Sequence, residues 1–184
     1  MRNLHIAIVS ALSILACVAP NLAAQRDVHA QLVAPENRKP APAFHLVSNS
    51  GKAMQVSDYR GKIVLLNFWA TDCGGCKIEL PSLIAIENTY HDAAFTTVGI
   101  SMDISWENLK NADEAWTRVK PFIVSHKLNY PILMGDDSLF KSYGLDALPA
   151  TFLIDKSGRI AATYVGIVSQ SDVEANIKTL LSQK

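Results

Sequence analysis

The sequence has no surplus of either charge. Lysine plus arginine and aspartate plus glutamate stand at 17 each. Nothing basic is left over to hold a phosphate backbone, which argues against nucleic acid as a partner. No run of like charges marks an acidic or basic tail. Cysteine is scarce, with three in 184 residues. Zinc takes four ligands as a rule. His91 lies at a tolerable distance from Cys73 and Cys76, but no second histidine follows at ligand spacing and no other cysteine pair exists. No metal or other cofactor is therefore expected. Internal repeats and long low-complexity tracts are absent too. What is plentiful is apolar: hydrophobic residues make up 49 %, enough for the core of one domain, with or without a tail.

The first two dozen residues read as a targeting segment. Arg2 gives a positive start, an apolar run extends from Ile6 to Ala19, and small residues follow at Ala23 and Ala24. That is the layout of a secretory signal over residues 1–24. The run is short for a membrane span, which needs about 20 apolar residues; an uncleaved anchor is the rival reading. Without this segment the chain keeps 16 basic and 17 acidic residues, a net charge of −1, since only Arg2 is lost. Ser13-Ile14-Leu15-Ala16-Cys17 resembles a lipoprotein cleavage box, so Cys17 is a possible site of lipid attachment or is lost with the signal. Either way two cysteines remain, in a compartment where disulfides persist. Residues 25–42 are polar and rich in alanine and proline and read as a linker. The domain is expected over 43–184.

Within the domain, Phe44 to Val47 and Met54 to Val56 read as short strands around the turn Ser50-Gly51. Ile63 to Trp69 is a nearly unbroken apolar run, as in a strand buried on both faces. Gly75 to about Tyr90 reads as a helix, with Ile78, Leu83, Ile84 and Ile86 available for burial; Pro81 should kink it. Phe95 to Met102 is a second core strand, and 103–115 reads as a polar insertion. A helix over 116–127 follows from the spacing of Trp116, Val119, Ile123 and His126, although Pro121 weakens it. A short strand is expected over Tyr130–Met134 and a short helix over Ser138–Tyr143. Thr151–Ile154 and Ile160–Val165 flank the turn Lys156-Ser157-Gly158-Arg159, a hairpin signal. Ser171 with Glu174 three residues later reads as a capping box opening the last helix. Strands alternating with helices, then a hairpin, indicate an α/β domain.

The chemistry concentrates in Asp72-Cys73-Gly74-Gly75-Cys76-Lys77. Two cysteines separated by two residues, after a strand and at a helix start, form a redox pattern. A helix N-terminus presents free N–H groups and about half a positive charge. These stabilise a thiolate, and the thiolate is the nucleophile. Cys76 sits one turn on, placed to close a disulfide. A papain-type cysteine protease would need an aromatic after the second cysteine, where this chain has Lys77. A purely structural disulfide across so short a loop adds little stability.

Asn67-Phe68-Trp69-Ala70-Thr71, Cys73-Gly74-Gly75-Cys76, Glu79, Pro81 and Leu148-Pro149-Ala150-Thr151-Phe152-Leu153-Ile154-Asp155 together resemble the TlpA/ResA-type thioredoxin-like reductases of bacterial envelopes. The likeness extends from about Pro42 to the C-terminus. It implies a thioredoxin-like fold, a central mixed sheet flanked by helices with an N-terminal β-hairpin extension. It also implies an exported thiol–disulfide oxidoreductase, located in the periplasm or envelope, either free or membrane-anchored. Its expected partners are disulfide-bearing envelope proteins, for example in cytochrome c maturation, and a membrane thiol donor. On this likeness Cys73, Cys76, Glu79 and Pro149 are catalytic, and Trp69, Asp72 and Leu148 lie at the substrate. Pro149 should be cis, leaving the backbone before it free to pair with a substrate strand, and Glu79 should be a buried acid able to accept a proton from Cys76. One departure stands out: Asp72 occupies a position that is usually tryptophan in the family. Two other classes were weighed. A peroxiredoxin-type peroxidase needs threonine three residues before its cysteine and proline four before that, where this chain has Ala70 and Leu66. A copper carrier of thioredoxin fold uses a wider cysteine spacing and a distal histidine.

Overall fold

A computed structural model describes residues 27–183. The signal segment and Cys17 lie outside the described residues. In chain order the elements are β1 (His45–Val47), β2 (Ala53–Gln55), β3 (Ile63–Trp69), α1 (Gly74–Tyr90), β4 (Phe95–Ser101), α2 (Asp103–Trp106), α3 (Ala112–Ser125), β5 (Ile132–Met134), α4 (Asp137–Ser142), β6 (Ala150–Ile154), β7 (Ile160–Val165) and α5 (Gln170–Ser182).

The apolar run of β3 becomes the centre of a five-stranded sheet in the order β5-β4-β3-β6-β7. β3, β4 and β5 run parallel, while β6 and β7 are antiparallel to their neighbours. This is the expected mixed sheet. All seven residues of β3 are buried because helices or loops cover both faces. Ile63, Leu65 and Trp69 join the core under α1, α3 and α5; Val64, Leu66 and Phe68 join the other, with Phe44, Leu139 and Tyr143. The β1–β2 hairpin forms its own two-stranded sheet and bridges to β5 through Ser48 and Leu133.

The structure corrects several boundaries. α1 starts at Gly74 with Cys73 as its N-cap, one residue earlier than expected, and runs through Pro81. On it Leu83 and Ile86 are buried, but Ile78 is exposed. The insertion is partly helical: it contains α2 and the first turn of α3. That helix begins at Ala112 because the Asn111 side chain accepts the Glu114 N–H. The capping box at Ser171 and Glu174 does not form. α5 begins two residues earlier, after Ser169, and Glu174 instead accepts a bond from Gln170.

Residues 27–42 also differ from a free linker. Val28 N–H donates to Ile167 O at 2.7 Å, Ser169 N–H to Val28 O at 3.0 Å, and Val33 N–H to Ala161 O at 2.8 Å. Pro40 bridges to Arg159. β7 ends the sheet, so its outer N–H and C=O groups need partners, and this N-terminal strap supplies some of them. Val28, Ala30 and Leu32 add their side chains to the core.

Candidate active site

The site grows from the end of β3. Its last residue, Trp69, is fully buried and packs on Phe122, ring centroids 5.2 Å apart. Gly99 on the neighbouring strand makes room for it: a Cβ there would lie 2.9 Å from the indole Nε1. Trp69 is therefore a wall of the site, and so deep a side chain offers no surface to a substrate. This corrects its expected place at the substrate.

Beyond Trp69 the chain turns through Ala70, Thr71 and Asp72 into the cysteines. Asp103 anchors this turn. Fully buried, it accepts the Thr71 N–H at 3.1 Å, the Thr71 hydroxyl, and the Ser101 hydroxyl at 2.7 Å. Sequence reasoning missed Asp103 by assigning it to a polar insertion. The available signal was its position just after the buried strand Phe95–Ser101.

Cys73 and Cys76 are joined by a disulfide. Cys73 Sγ also accepts the Cys76 N–H at 3.2 Å, an N-cap interaction at the positive end of α1. Cys73 keeps 6 % of its surface and Cys76 only 1 %, so Cys73 is the more accessible sulfur. Asp72 and Lys77 flank the pair at the surface, 3.7 Å apart, a weak exposed ion pair.

Pro149 packs over the first turn of α1. The Leu148–Pro149 bond is cis, and Pro149 is buried beside a half-buried Leu148. A Cβ on Gly75 would lie 3.2 Å from Pro149 Cδ and 3.7 Å from Ile167 Cγ1, so a small residue at 75 permits this approach.

Glu79 sits one turn after Cys76 with 1 % of its surface exposed. Its Oε1 accepts Asn67 Nδ2–H at 2.7 Å and its Oε2 accepts the Val168 N–H at 3.2 Å. Asn67 also donates to Thr151 Oγ1 at 2.9 Å. Among the described residues no lysine, arginine or histidine pairs with this carboxyl group. Burial raises its pKa from 4.5 to about 7, outweighing the two hydrogen bonds that favour the charged form. The group can therefore take or give a proton near neutrality. A recess of about 200 Å³ is lined by Met102, Ser105, Trp106, Asp137 and Phe140, with Trp106 half exposed. Trp116 instead packs against the core.

Comparison with known proteins agrees with this geometry. Residues 36–181 match the family described as Redoxin. The chain is 30 % identical over 141 residues to the thiol–disulfide oxidoreductase ResA of Geobacillus thermodenitrificans, covering 76 % of this chain and 75 % of that one. It is 29 % identical over 137 residues to the thioredoxin-like protein YneN of Bacillus subtilis, covering 74 % and 76 %. Among solved structures, a thiol:disulfide interchange protein of the thioredoxin family from Chlorobium tepidum superposes with a TM-score of 0.68 at 27 % identity, over 81 % of this chain and all of that one. The chain belongs to the Redoxin family, as a TlpA/ResA-like thiol–disulfide oxidoreductase of thioredoxin fold.

Proposed function

We propose that the protein is an exported reductase of envelope protein disulfides, working through Cys73 and Cys76. The observation that carries the reading is the cysteine pair at the start of α1, one turn before a buried carboxyl group that no cation pairs with among the described residues. In the dithiol state the Cys73 thiolate attacks a substrate disulfide and forms a mixed disulfide, releasing one substrate thiolate. Cys76 gives its proton to Glu79 and attacks Cys73, which frees the second substrate thiolate. Two electrons pass to the substrate, and the enzyme is left as the Cys73–Cys76 disulfide. Leu148, just before Pro149, offers backbone to the substrate strand, and Asp72 lies at its edge. A membrane thiol donor returns the two electrons. Apocytochrome cysteine pairs awaiting haem are one substrate class that fits. The leader over residues 1–24 supports export, and Cys17 is the candidate for a lipid anchor.

The reductase direction rests on what surrounds the thiolate. A strong oxidant is made by stabilising its reduced form. Here Gly74-Gly75 places no cation between the cysteines, and Asp72 adds a negative charge. Equilibration against dithiothreitol or glutathione is expected to give a potential nearer about −270 mV than about −120 mV. A value above about −180 mV marks an oxidant or isomerase instead. Cys76→Ser should accumulate mixed disulfides with envelope proteins, and Cys73→Ala should abolish reduction. Preferential alkylation of Cys76 in the reduced protein would falsify the division of labour.

A further inference from the structure

We propose that the N-terminal strap, residues 28–33, is a positioning element of the redox site: it clamps the 166–169 loop against the Glu79 carboxyl group and the first turn of α1. The inference rests on the reading of Glu79 as the acid of the site.

The contacts form a short chain of direct bonds. On its outer side the loop is held by the strap. Val28 N–H donates to Ile167 O, Val28 O accepts the Ser169 N–H, and the Val28 side chain lies against Gly166, where a Cβ would come within 3.2 Å of it. On its inner side the same loop contacts the groups of the redox site. Val168 N–H donates to Glu79 Oε2 at 3.2 Å, and Ile167 packs where a Gly75 Cβ would point. Gly166 N–H donates to Pro149 O at 2.9 Å, which ties the loop to the proline as well. Two of its four residues are thus bonded to the strap through the backbone, and a third donates to the acid.

The strap has its own latch. Asp172 accepts the Ala30 N–H at 3.1 Å and the Tyr164 hydroxyl at 3.0 Å, and His29 lies 3.3 Å from it. Asn176 Nδ2–H donates to Ala30 O at 2.8 Å. A strand that only covered the edge of β7 would need neither the latch nor the pairing with the loop beyond β7.

The ionisable groups around Glu79 keep the electrostatics readable. Cys76 and Glu87 share its helix, and Tyr130 approaches from the segment before β5, its own pKa raised by burial and by Glu79 and Glu87. On the strap side the ionisable groups include His29, Tyr164 and Asp172, which bond to one another, and Asp27 and Glu174 beside Ser169. The Val168 N–H stabilises the ionised Glu79. Loosening the strap frees the loop, lengthens that bond and favours the protonated acid.

The test is a carboxyl carbon NMR titration of the full chain, labelled at glutamate, with Glu79→Gln assigning the signal. Val28→Pro removes the N–H that reaches Ile167, and Asp172→Ala removes the latch. The Glu79 midpoint is expected to rise by about one pH unit in Val28→Pro, the size of one hydrogen bond to a charged group. A smaller rise is expected in Asp172→Ala, which carries the test alone if Val28→Pro does not fold. A midpoint that stays put or falls in the folded variants, whatever their melting temperatures, overturns the inference and leaves the strap as edge cover. The acid reading is tested separately: turnover unaffected by Glu79→Gln sinks that reading while a shifted titration still supports the clamp.

Discussion

A carboxylate lies at each end of β6, buried at one and partly buried at the other, and the two behave in opposite ways. At the Ala150 end, beside the disulfide, Glu79 has two hydrogen bonds and no cation, and burial holds its pKa up near 7. Just past the Ile154 end, Asp155 is also pushed up by burial, but hydrogen bonds from Ser157, Arg159 and Arg38 win and hold it below the usual carboxylate range. Arg38 Nη1 lies 3.0 Å from Asp155, and the Arg38 side chain keeps only 4 % of its surface. The guanidinium also donates to Val33 O and Gln183, tying the strap and the end of α5 to the β6–β7 turn. One end pairs its carboxylate with a cation; at the other, no cation among the described residues pairs with the carboxyl group, whose pKa is raised by burial. The larger recess, about 390 Å³, opens at the Arg38 end, not beside the cysteines. That is consistent with disulfide exchange between proteins, which needs an accessible sulfur and a backbone edge more than a cavity.

The comparison is broken most severely at Arg38. Arg38→Ala leaves the partly buried Asp155 without its cation and should cost about 3 kcal/mol, the low end for breaking a buried pair, because Asp155 keeps its bonds from Ser157 and Arg159. Urea unfolding measures it. The sign with pH follows from the lowered pKa. The contribution of Asp155 is present above its unfolded value of about 3.9 and is lost as pH falls through the lower folded value.

Glu79 should show the reverse dependence. Its folded pKa is raised, so between about 4.5 and about 7 the native state binds more protons than the unfolded one, and stability falls as pH rises through that window. The full loss is roughly 3 kcal/mol, at about 1.4 kcal/mol per pH unit. Glu79→Gln should flatten this decline and slow turnover more than it shifts the potential. A wild-type stability curve already flat from pH 4.5 to 7 would remove the contrast between the two ends.

The smallest effect belongs to Asp72. It is largely exposed and loosely paired with Lys77. Asp72→Asn should make the protein more oxidising by only about 10–20 mV, because an exposed charge beside a helix start has a small effect on the thiolate. Redox equilibration of the two proteins side by side checks it. A shift several times larger would place Asp72 in closer contact with the reduced sulfur than the disulfide state shows.

The elements that were legible in the sequence carry their signal locally. The apolar run of β3, the β6–β7 hairpin around Ser157-Gly158 and the cysteine pair at a strand-to-helix step all appear where spacing placed them. The errors arose where two local patterns competed or where partners were remote. Ser171 and Glu174 fit a capping box, yet the helix starts after Ser169, whose N–H is bound by Val28, 141 residues earlier in the chain. The Asn111 cap was hidden in a stretch read as insertion, and residues 28–40 looked like a linker because their hydrogen bonds go to β7 and the loop beyond it.

By itself the sequence determined which atoms could do chemistry: a thiol pair at the start of a helix, a carboxylic acid one turn later, and a proline far along the chain. Spacing along one strand–helix unit is enough for the thiol pair, since backbone geometry sets where a residue three or four positions on must lie; the roles of Glu79 and Pro149 came from the likeness of the motifs around them. Only the tertiary structure decided what those groups are like. Asn67 and Val168 reach Glu79 from 12 residues before it and 89 residues after it. Asp103 reaches the Thr71 turn from the start of α2, and the strap closes over the loop from the other end of the chain. Burial and the count of donors around a charge depend on which distant segments meet, and these settle whether a carboxyl group anchors the fold or carries a proton.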